Sequence, residues 1–463
     1  MVSKAKAKKN FKVPNAYIIV IGMMVFVAIL TYIIPAGQYA TIVNEDTGAT
    51  YLDPTSFKFI EQTGISLWQF INSFYEGLLK NSEVIMFLFL LGGYFKIIID
   101  TKAIDGFISL LIDKLGNKII LVVPIFMLVI SLLGAAGVLI NPVIAFIPIG
   151  MVLCQRLKLD PICAVALTFI AAYSGFSTSP MCAPTVQIAQ NIAGIPVLSG
   201  FGYRSVVWLL IYLATTFYVM RYVKKVLKDS KNSIIYGEYE EKDTSELNVK
   251  FEKSHGLVML TMVLGFGLYT WGALKNGWGM NYMSGIFLVV AIISGIISKL
   301  SAEDMVKLFV EGCREMVFSA MLIGCAAAIS IILTEGNIIH TITYGFAQIL
   351  SKLPSLISAP VMFFANVIVN LFVSSGSGQA VIVMPIMAPL SDLIGISRQI
   401  AVCAYQYGDG LSNVIFPTNG TMMACIARAG VGYDKWMKWI LPLFGIWTVI
   451  ISIALIVGVV IGV

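Results

Sequence analysis

Long apolar runs separated by short polar cuts dominate this chain. The runs at 16–35, 82–99, 203–220, 256–274, 283–298, 316–333 and 437–462 approach the roughly 20 residues that a helix needs to cross a hydrocarbon core of about 30 Å. They predict membrane-spanning helices. Stretches 103–116 and 338–353 are too polar to span and predict amphipathic helices lying at opposite interfaces. Four of the polar cuts come as two pairs. Gly134-Ala135-Ala136-Gly137 precedes Ser174-Gly175-Phe176-Ser177-Thr178-Ser179-Pro180, and Ser374-Ser375-Gly376-Ser377-Gly378-Gln379 precedes Gly408-Asp409-Gly410-Leu411-Ser412-Asn413. Backbone groups freed by a helix break in hydrocarbon must find partners inside the protein or in a watery cavity. Paired interruptions at matching places in two halves therefore point to a solute site.

The halves correspond elsewhere too. Phe74-Tyr75-Glu76-Gly77 answers Phe309-Val310-Glu311-Gly312, Asp100 answers Glu335, Gly137 answers Gly378 and Pro148 answers Pro389, at spacings of about 235 to 241 residues, an internal repeat. Lys96, Lys102, Lys114, Lys118, Arg156 and Lys158 bracket 119–155, which predicts a re-entrant hairpin entering from the cytoplasm with its tip at Gly134 and Gly137. Its counterpart 356–396 follows one more crossing and enters from outside, with its tip at Gly376 and Gly378. Broken helices at 161–198 and 398–428 bring the count to nine crossings. The predicted fold class is an all-α polytopic membrane protein of two inverted-topology repeats, each with a re-entrant helical hairpin and a broken transmembrane helix.

Charge sets the frame. Only 12% of the 463 residues are charged and 58% are hydrophobic, against roughly 25% charged in soluble domains. The net charge of +6 gathers in the tail (Lys4, Lys6, Lys8, Lys9, Lys12) and in one central loop (Arg221, Lys224, Lys225, Lys228, Lys231), so it reports orientation rather than nucleic-acid binding. This gives a cytoplasmic basic tail at 1–15, a first repeat at 16–222 with an extracellular loop at 36–66, a cytoplasmic linker at 223–255, and a second repeat with its leading helices at 256–463, ending outside. The first span follows the tail without a convincing cleavage site and reads as retained. Seven cysteines lie mostly in apolar stretches without metal or redox spacing, and read as small buried hydrophobes.

Candidate chemistry is confined to the four cuts. At the second tip the serines Ser374, Ser375 and Ser377, with Gln379, offer hydroxyl and amide groups, and a half-helix beginning near Gly378 would aim free N–H groups at a carboxylate; the same small residues also suit helix packing. Asp409 is an intramembrane carboxylate, a functional hypothesis by default. It fits pairing with a cationic substrate group, holding a sodium ion with nearby carbonyls, or carrying a coupling proton; capping a half-helix is the bland alternative. Ser412, Asn413, Thr418 and Asn419 accompany it. In the first half Ser174, Ser177 and Thr178 could supply oxygens to a cation or solute, and Asn141 an amide. Nothing matches a P-loop, a nucleophile elbow or a metal-ligand motif. The expectation is therefore no catalytic residue, no cofactor, and no metal beyond a possible sodium ion. An intramembrane hydrolase and a channel are the remote readings from other classes.

The run Ser374 to Ala380, the Met384-Pro385-Ile386-Met387-Ala388-Pro389 segment, Tyr407-Gly408-Asp409-Gly410 and Pro417-Thr418-Asn419-Gly420 resemble the YfcC branch of the anaerobic C4-dicarboxylate carrier (DcuC-like) family, over nearly the whole chain. The resemblance implies a secondary transporter of the bacterial cytoplasmic (inner) membrane, in the ion-transporter superfamily architecture: a scaffold that forms a homodimer and a transport part that moves as an elevator, with sodium or protons as coupling ion. Relatives are described both as dicarboxylate carriers and as basic amino acid antiporters. Neither tips nor breaks contain Lys or Arg, while Asp409 adds a negative charge. An amino acid, its carboxylate at a half-helix N-terminus and its cationic group at Asp409, fits that inventory better than a C4-dicarboxylate.

Overall fold

Hydrocarbon offers the backbone no partner, so a chain this apolar satisfies its N–H and C=O groups within helices. The computed structural model describes residues 16–43, 50–53, 55–115, 120–239, 249–276 and 278–463. The basic tail, Glu45, Asp46 and Lys118 lie outside the described residues. The first half runs α1 (Ala16–Ile33), α2 (Leu67–Lys80), α3 (Ser82–Asp100), α4 (Ala103–Leu115), α5 (Val122–Ala135), α6 (Ile147–Arg156), α7 (Pro161–Val165), α8 (Ala171–Ser177), α9 (Ile188–Ile192) and α10 (Phe201–Lys228). After α11 (Lys253–Asn276) and α12 (Met280–Ile297) come α13 (Ala302–Glu335), α14 (Ile339–Leu350), α15 (Ser355–Phe372), α16 (Gly376–Leu393), α17 (Arg398–Ser412), α18 (Gly420–Arg428) and α19 (Tyr433–Ile461). Among the described residues seven helices are long and apolar enough to cross a membrane: α3, α10, α11, α12, α13, α15 and α19.

The all-helical expectation needs one correction. The polar segment after α1 forms two small antiparallel ladders, β1 (Gly37–Gln38) with β4 (Lys58–Phe59) and β2 (Thr41–Val43) with β3 (Thr50–Leu52), in the registers Gly37 opposite Phe59 and Ile42 opposite Tyr51. β-branched and aromatic residues outside the apolar runs favour short strands there. Phe57 of this segment stacks on Tyr344 of α14 with ring centroids 4.0 Å apart.

The core of the molecule is built around α13, which packs on α1, α2, α3 and α18. Helix α13 begins 235 residues after α2 begins and ends 235 residues after α3 ends. Where α13 is continuous, however, the first half breaks at Asn81, and the amphipathic α2 that results is an element the hydropathy pattern alone does not reveal. Ser66 starts it with a capping box to Gln69, which satisfies two otherwise orphaned N–H groups.

The second hairpin is present. Although α15 is long enough to span, the chain reverses at 373–375, and Gln379 Nε2 donates back to the Asn366 carbonyl across the turn at 3.0 Å. In the first half α5 ends at Ala135, the chain turns at Gly137 (φ +80°), and a 3-10 turn over Asn141–Phe146 leads into α6. Gly134 therefore belongs to α5 and not to the tip, while Gly376 and Gly378 form the first turn of α16, with Ser375 as its N-cap.

Candidate functional site

Both broken helices unwind later than the glycines suggest. Ser174 and Ser177 lie in α8, and Gly408, Asp409, Gly410 and Ser412 lie in α17; the unwound stretches are 178–182 and 413–419. Close packing explains the difference. Gly175 lies against the Ser131 carbonyl of α5, Gly408 against Phe363 and Asn366 of α15, and Gly410 against Ser177. Glycines that look like helix breakers thus let α5 rest on α8, α15 on α17, and α17 on α8.

Each unwound stretch has donors that meet its carbonyls. Ser179 Oγ accepts from Cys182 N at 2.8 Å and donates to the Ala135 carbonyl. Arg204 of α10, wholly buried, points Nη1 at the Ser179 carbonyl, 3.5 Å away. In the second half Trp436 Nε1 donates to the Val414 carbonyl at 2.9 Å. Asn370 of α15 donates to the Asp409 carbonyl at 3.0 Å and to Ser412 Oγ at 2.8 Å. Asn419 Nδ2 donates to Asn413 Oδ1 at 2.7 Å, and Asn419 Oδ1 caps α18 by accepting from Met422 N. An intramembrane break survives only when its polar groups are answered in this way.

The second hairpin tip and the second unwound stretch meet residues flanking the first tip and the first break, among them Asn141, Phe176 and Thr185, around one cavity of about 320 Å³. Its wall includes Asn141, Ser374, Ser375, Gly376, Ser377, Asn413, Thr418 and Asn419. Thr421 Oγ1 donates to Asn141 Oδ1 at 2.8 Å, and Ser374 Oγ donates to the Thr418 carbonyl at 2.9 Å. Ser174, Ser177 and Thr178 are fully buried and stand apart from this wall: Ser174 Oγ donates to the Ala171 carbonyl at 2.7 Å and Thr178 Oγ1 to the Ser174 carbonyl at 3.0 Å, ordinary bonds within a helix. Ser412 Oγ donates to the Gly408 carbonyl, and Gln379 Nε2 donates to Asn366 Oδ1 at 3.0 Å. The hydroxyls of Ser174, Thr178 and Ser412 are thus spent within their own helices, while Ser177 Oγ and Gln379 Oε1 are buried with no hydrogen-bond partner among the described residues.

Asp409 is wholly buried and neither carboxylate oxygen has a hydrogen-bond partner among the described residues. It does not line the cavity; it lies directly behind Gly376, the first residue of α16. Sequence reasoning missed Lys80, Asn81, Ser330 and Thr421, all on the wall. The signal for the first two is in the sequence: Lys80-Asn81-Ser82-Glu83 is a polar cut between two apolar runs, like the four described above. Among the described lining residues Lys80 is the only one with a charge. All seven cysteines are free, and all but Cys313 are buried.

Comparison with known proteins bears on this arrangement. A sequence model described as DcuC, C4-dicarboxylate anaerobic carrier, matches residues 13–460. A protein of Escherichia coli (strain K12) named "Putative basic amino acid antiporter YfcC" is 30% identical, the match covering 98% of either chain. An uncharacterized protein of Haemophilus influenzae is 28% identical over 98% of both. Among solved structures, the YdaH transporter of Alcanivorax borkumensis aligns with a TM-score of 0.43 at 16% identity, over 97% of this chain and 99% of that one. MtrF of Neisseria gonorrhoeae, from a class of antimetabolite efflux pumps, gives 0.44 at 16% identity over 96% and 95%. With the family's sequence pattern matched almost from end to end, the chain belongs to the C4-dicarboxylate anaerobic carrier (DcuC) family of multi-pass membrane transporters.

Proposed function

We propose that this protein is a secondary active transporter, not an enzyme, that carries a small carboxylate-bearing solute, an amino acid, across the bacterial cytoplasmic membrane by alternating access. One observation carries the reading: polar residues of both halves, Asn141 and Thr185 with Ser374 to Ser377, Asn413, Thr418 and Asn419, converge on one cavity, and Asp409, a buried carboxylate with no hydrogen-bond partner among the described residues, lies against its wall at Gly376. An isolated charge in a low-dielectric interior is costly. It therefore calls for a cation delivered from solution, either the solute's ammonium or side chain or a coupling sodium ion or proton. The relative named a basic amino acid antiporter supports exchange of cationic amino acids.

In the same reading the two halves are inverted repeats, the N-terminus is cytoplasmic, the unit is a homodimer, and the hairpins with α17 and α18 move as an elevator against α13. The matching order of α2–α3 and α13, of the hairpins and of the broken helices supports the repeat. Uptake into proteoliposomes of labelled arginine, ornithine, lysine, succinate and citrate, with and without sodium, tests the proposal. Accumulation or exchange of an amino acid is expected. A carrier that moves dicarboxylates and ignores every amino acid would replace this reading with the second one, a sodium- or proton-coupled C4-dicarboxylate carrier. Lys80 on the cavity wall is the observation that favours the second, since the tips and breaks themselves supply no cation.

A further inference from the structure

The geometry points to Lys80 as the group that recognises the solute's carboxylate. This rests on the cavity being the solute site and names the chemistry of that site. Lys80 ends α2 and stands on the cavity wall, exposed to it, with Nζ donating to Ser330 Oγ at 3.0 Å. Among the described residues it forms no ion pair, and no Asp or Glu lines the cavity. Its charge is thus offset by nothing on the wall.

Three further features of the same wall suit an anionic oxygen. Thr185 and Thr418 belong to the cavity wall, are 2% and 1% exposed, and their Oγ1 atoms have no hydrogen-bond partner among the described residues. Each is a hydroxyl donor waiting for an acceptor. The first turn of α16, an 18-residue helix, also lies on the wall at Gly376 and Ser377, and a helix N-terminus favours negative charge. A compact ammonium, two hydroxyls and a helix N-terminus together make a carboxylate site, and the volume of about 320 Å³ falls within the roughly 300–1,000 Å³ of small-molecule pockets.

Lys80 also comes from a different part of the molecule than the other groups. Its helix packs on α13, whereas Thr418 and α16 belong to the break and hairpin of the second half. A carboxylate bound here bridges those two parts, so Lys80 contributes to affinity in the conformation described and is lost as a contact if the hairpins move away from α2.

Lys80→Gln and Lys80→Arg, reconstituted alongside the wild type, test this. For whichever carboxylate the wild type transports, Lys80→Gln is expected to raise KM about tenfold or more, the scale of one lost charge-assisted hydrogen bond, while Lys80→Arg keeps most of the affinity. In detergent, thermal stabilisation by arginine and by succinate should be lost in Lys80→Gln, whereas agmatine, which lacks the carboxylate of arginine, should stabilise neither protein better than the other. A Lys80→Gln carrier with wild-type KM, or a wild type stabilised by neither arginine nor succinate, overturns the inference. If succinate but no amino acid is carried and the Lys80 dependence persists, the amino-acid reading fails and the assignment of Lys80 stands.

Discussion

A Cβ placed on Gly376 would come to 3.0 Å from Asp409 Oδ2 and 2.5 Å from Thr185 Cγ2, so this glycine of the cavity wall lies closely against the buried carboxylate. Its backbone is ordinary helix, and alanine is by itself the better helix former, by about 1 kcal/mol. Sterics decide instead. Gly376→Ala is expected to fold and to reach the membrane, yet to lose tenfold or more of its uptake, because the methyl group displaces Asp409 or Thr185. Wild-type uptake in this variant would show that the cavity and Asp409 act independently.

Asp409→Asn separates function from stability with opposite signs. The carboxylate oxygens have no hydrogen-bond partner among the described residues, so replacing the charge with a neutral amide of similar shape removes a desolvation cost, and unpaired buried charges cost several kcal/mol. Melting temperature in detergent should rise while transport falls below about a tenth of wild type, a stability–activity trade-off. A lower melting temperature would instead assign Asp409 a structural bond that the geometry does not show.

The unwound carbonyls make a third test. Ser179 and Val414, which are 235 residues apart, each meet a long side chain from the long helix that closes their half, Arg204 of α10 and Trp436 of α19. Trp436 is wholly buried, so Trp436→Phe leaves the Val414 carbonyl without its donor at a cost of about 1–3 kcal/mol. Thermal unfolding should detect that loss, and a melting point equal to wild type would mean that another donor takes over.

Much of this arrangement could be read from polar residues in apolar context. Asp409, Asn141, the serines of the second tip and the Thr418-Asn419 pair stood out because hydrocarbon penalises them, and the structure brings all but Asp409 onto one wall. The exact place of unwinding could not be read. Gly175, Gly408 and Gly410 look like helix breakers in one dimension, and only their neighbours in space show that they serve close packing within intact helices. Lys80 sits in a visible polar cut, but its place on one wall with the second hairpin tip is a relation in space that no local pattern encodes. Short strands after α1 were hidden because a polar connection carries no periodicity long enough to register.

Glu315 joins three helices and offers a test of how the parts are held. Its Oε1 lies 2.9 Å from Lys96 Nζ on α3 and its Oε2 2.5 Å from Arg428 Nη2 on α18, while Glu311 also reaches Lys96 at 2.8 Å. These side chains are between a quarter and half exposed, so solvent screens each pair and each is worth about 1 kcal/mol or less. Their importance is in position, because Arg428 follows the second break and Glu315 sits on α13. If α18 slides along α13 during transport, the Arg428–Glu315 pair must open once per cycle, and weakening it lowers that barrier. Glu315→Gln should therefore lose a little stability, lose most of the salt dependence of its melting temperature, and keep or raise its maximal exchange rate. A double-mutant cycle with Arg428→Gln isolates the pair. Coupling near zero, or a maximal rate that falls in step with stability, would mean that α13 and α18 stay docked throughout.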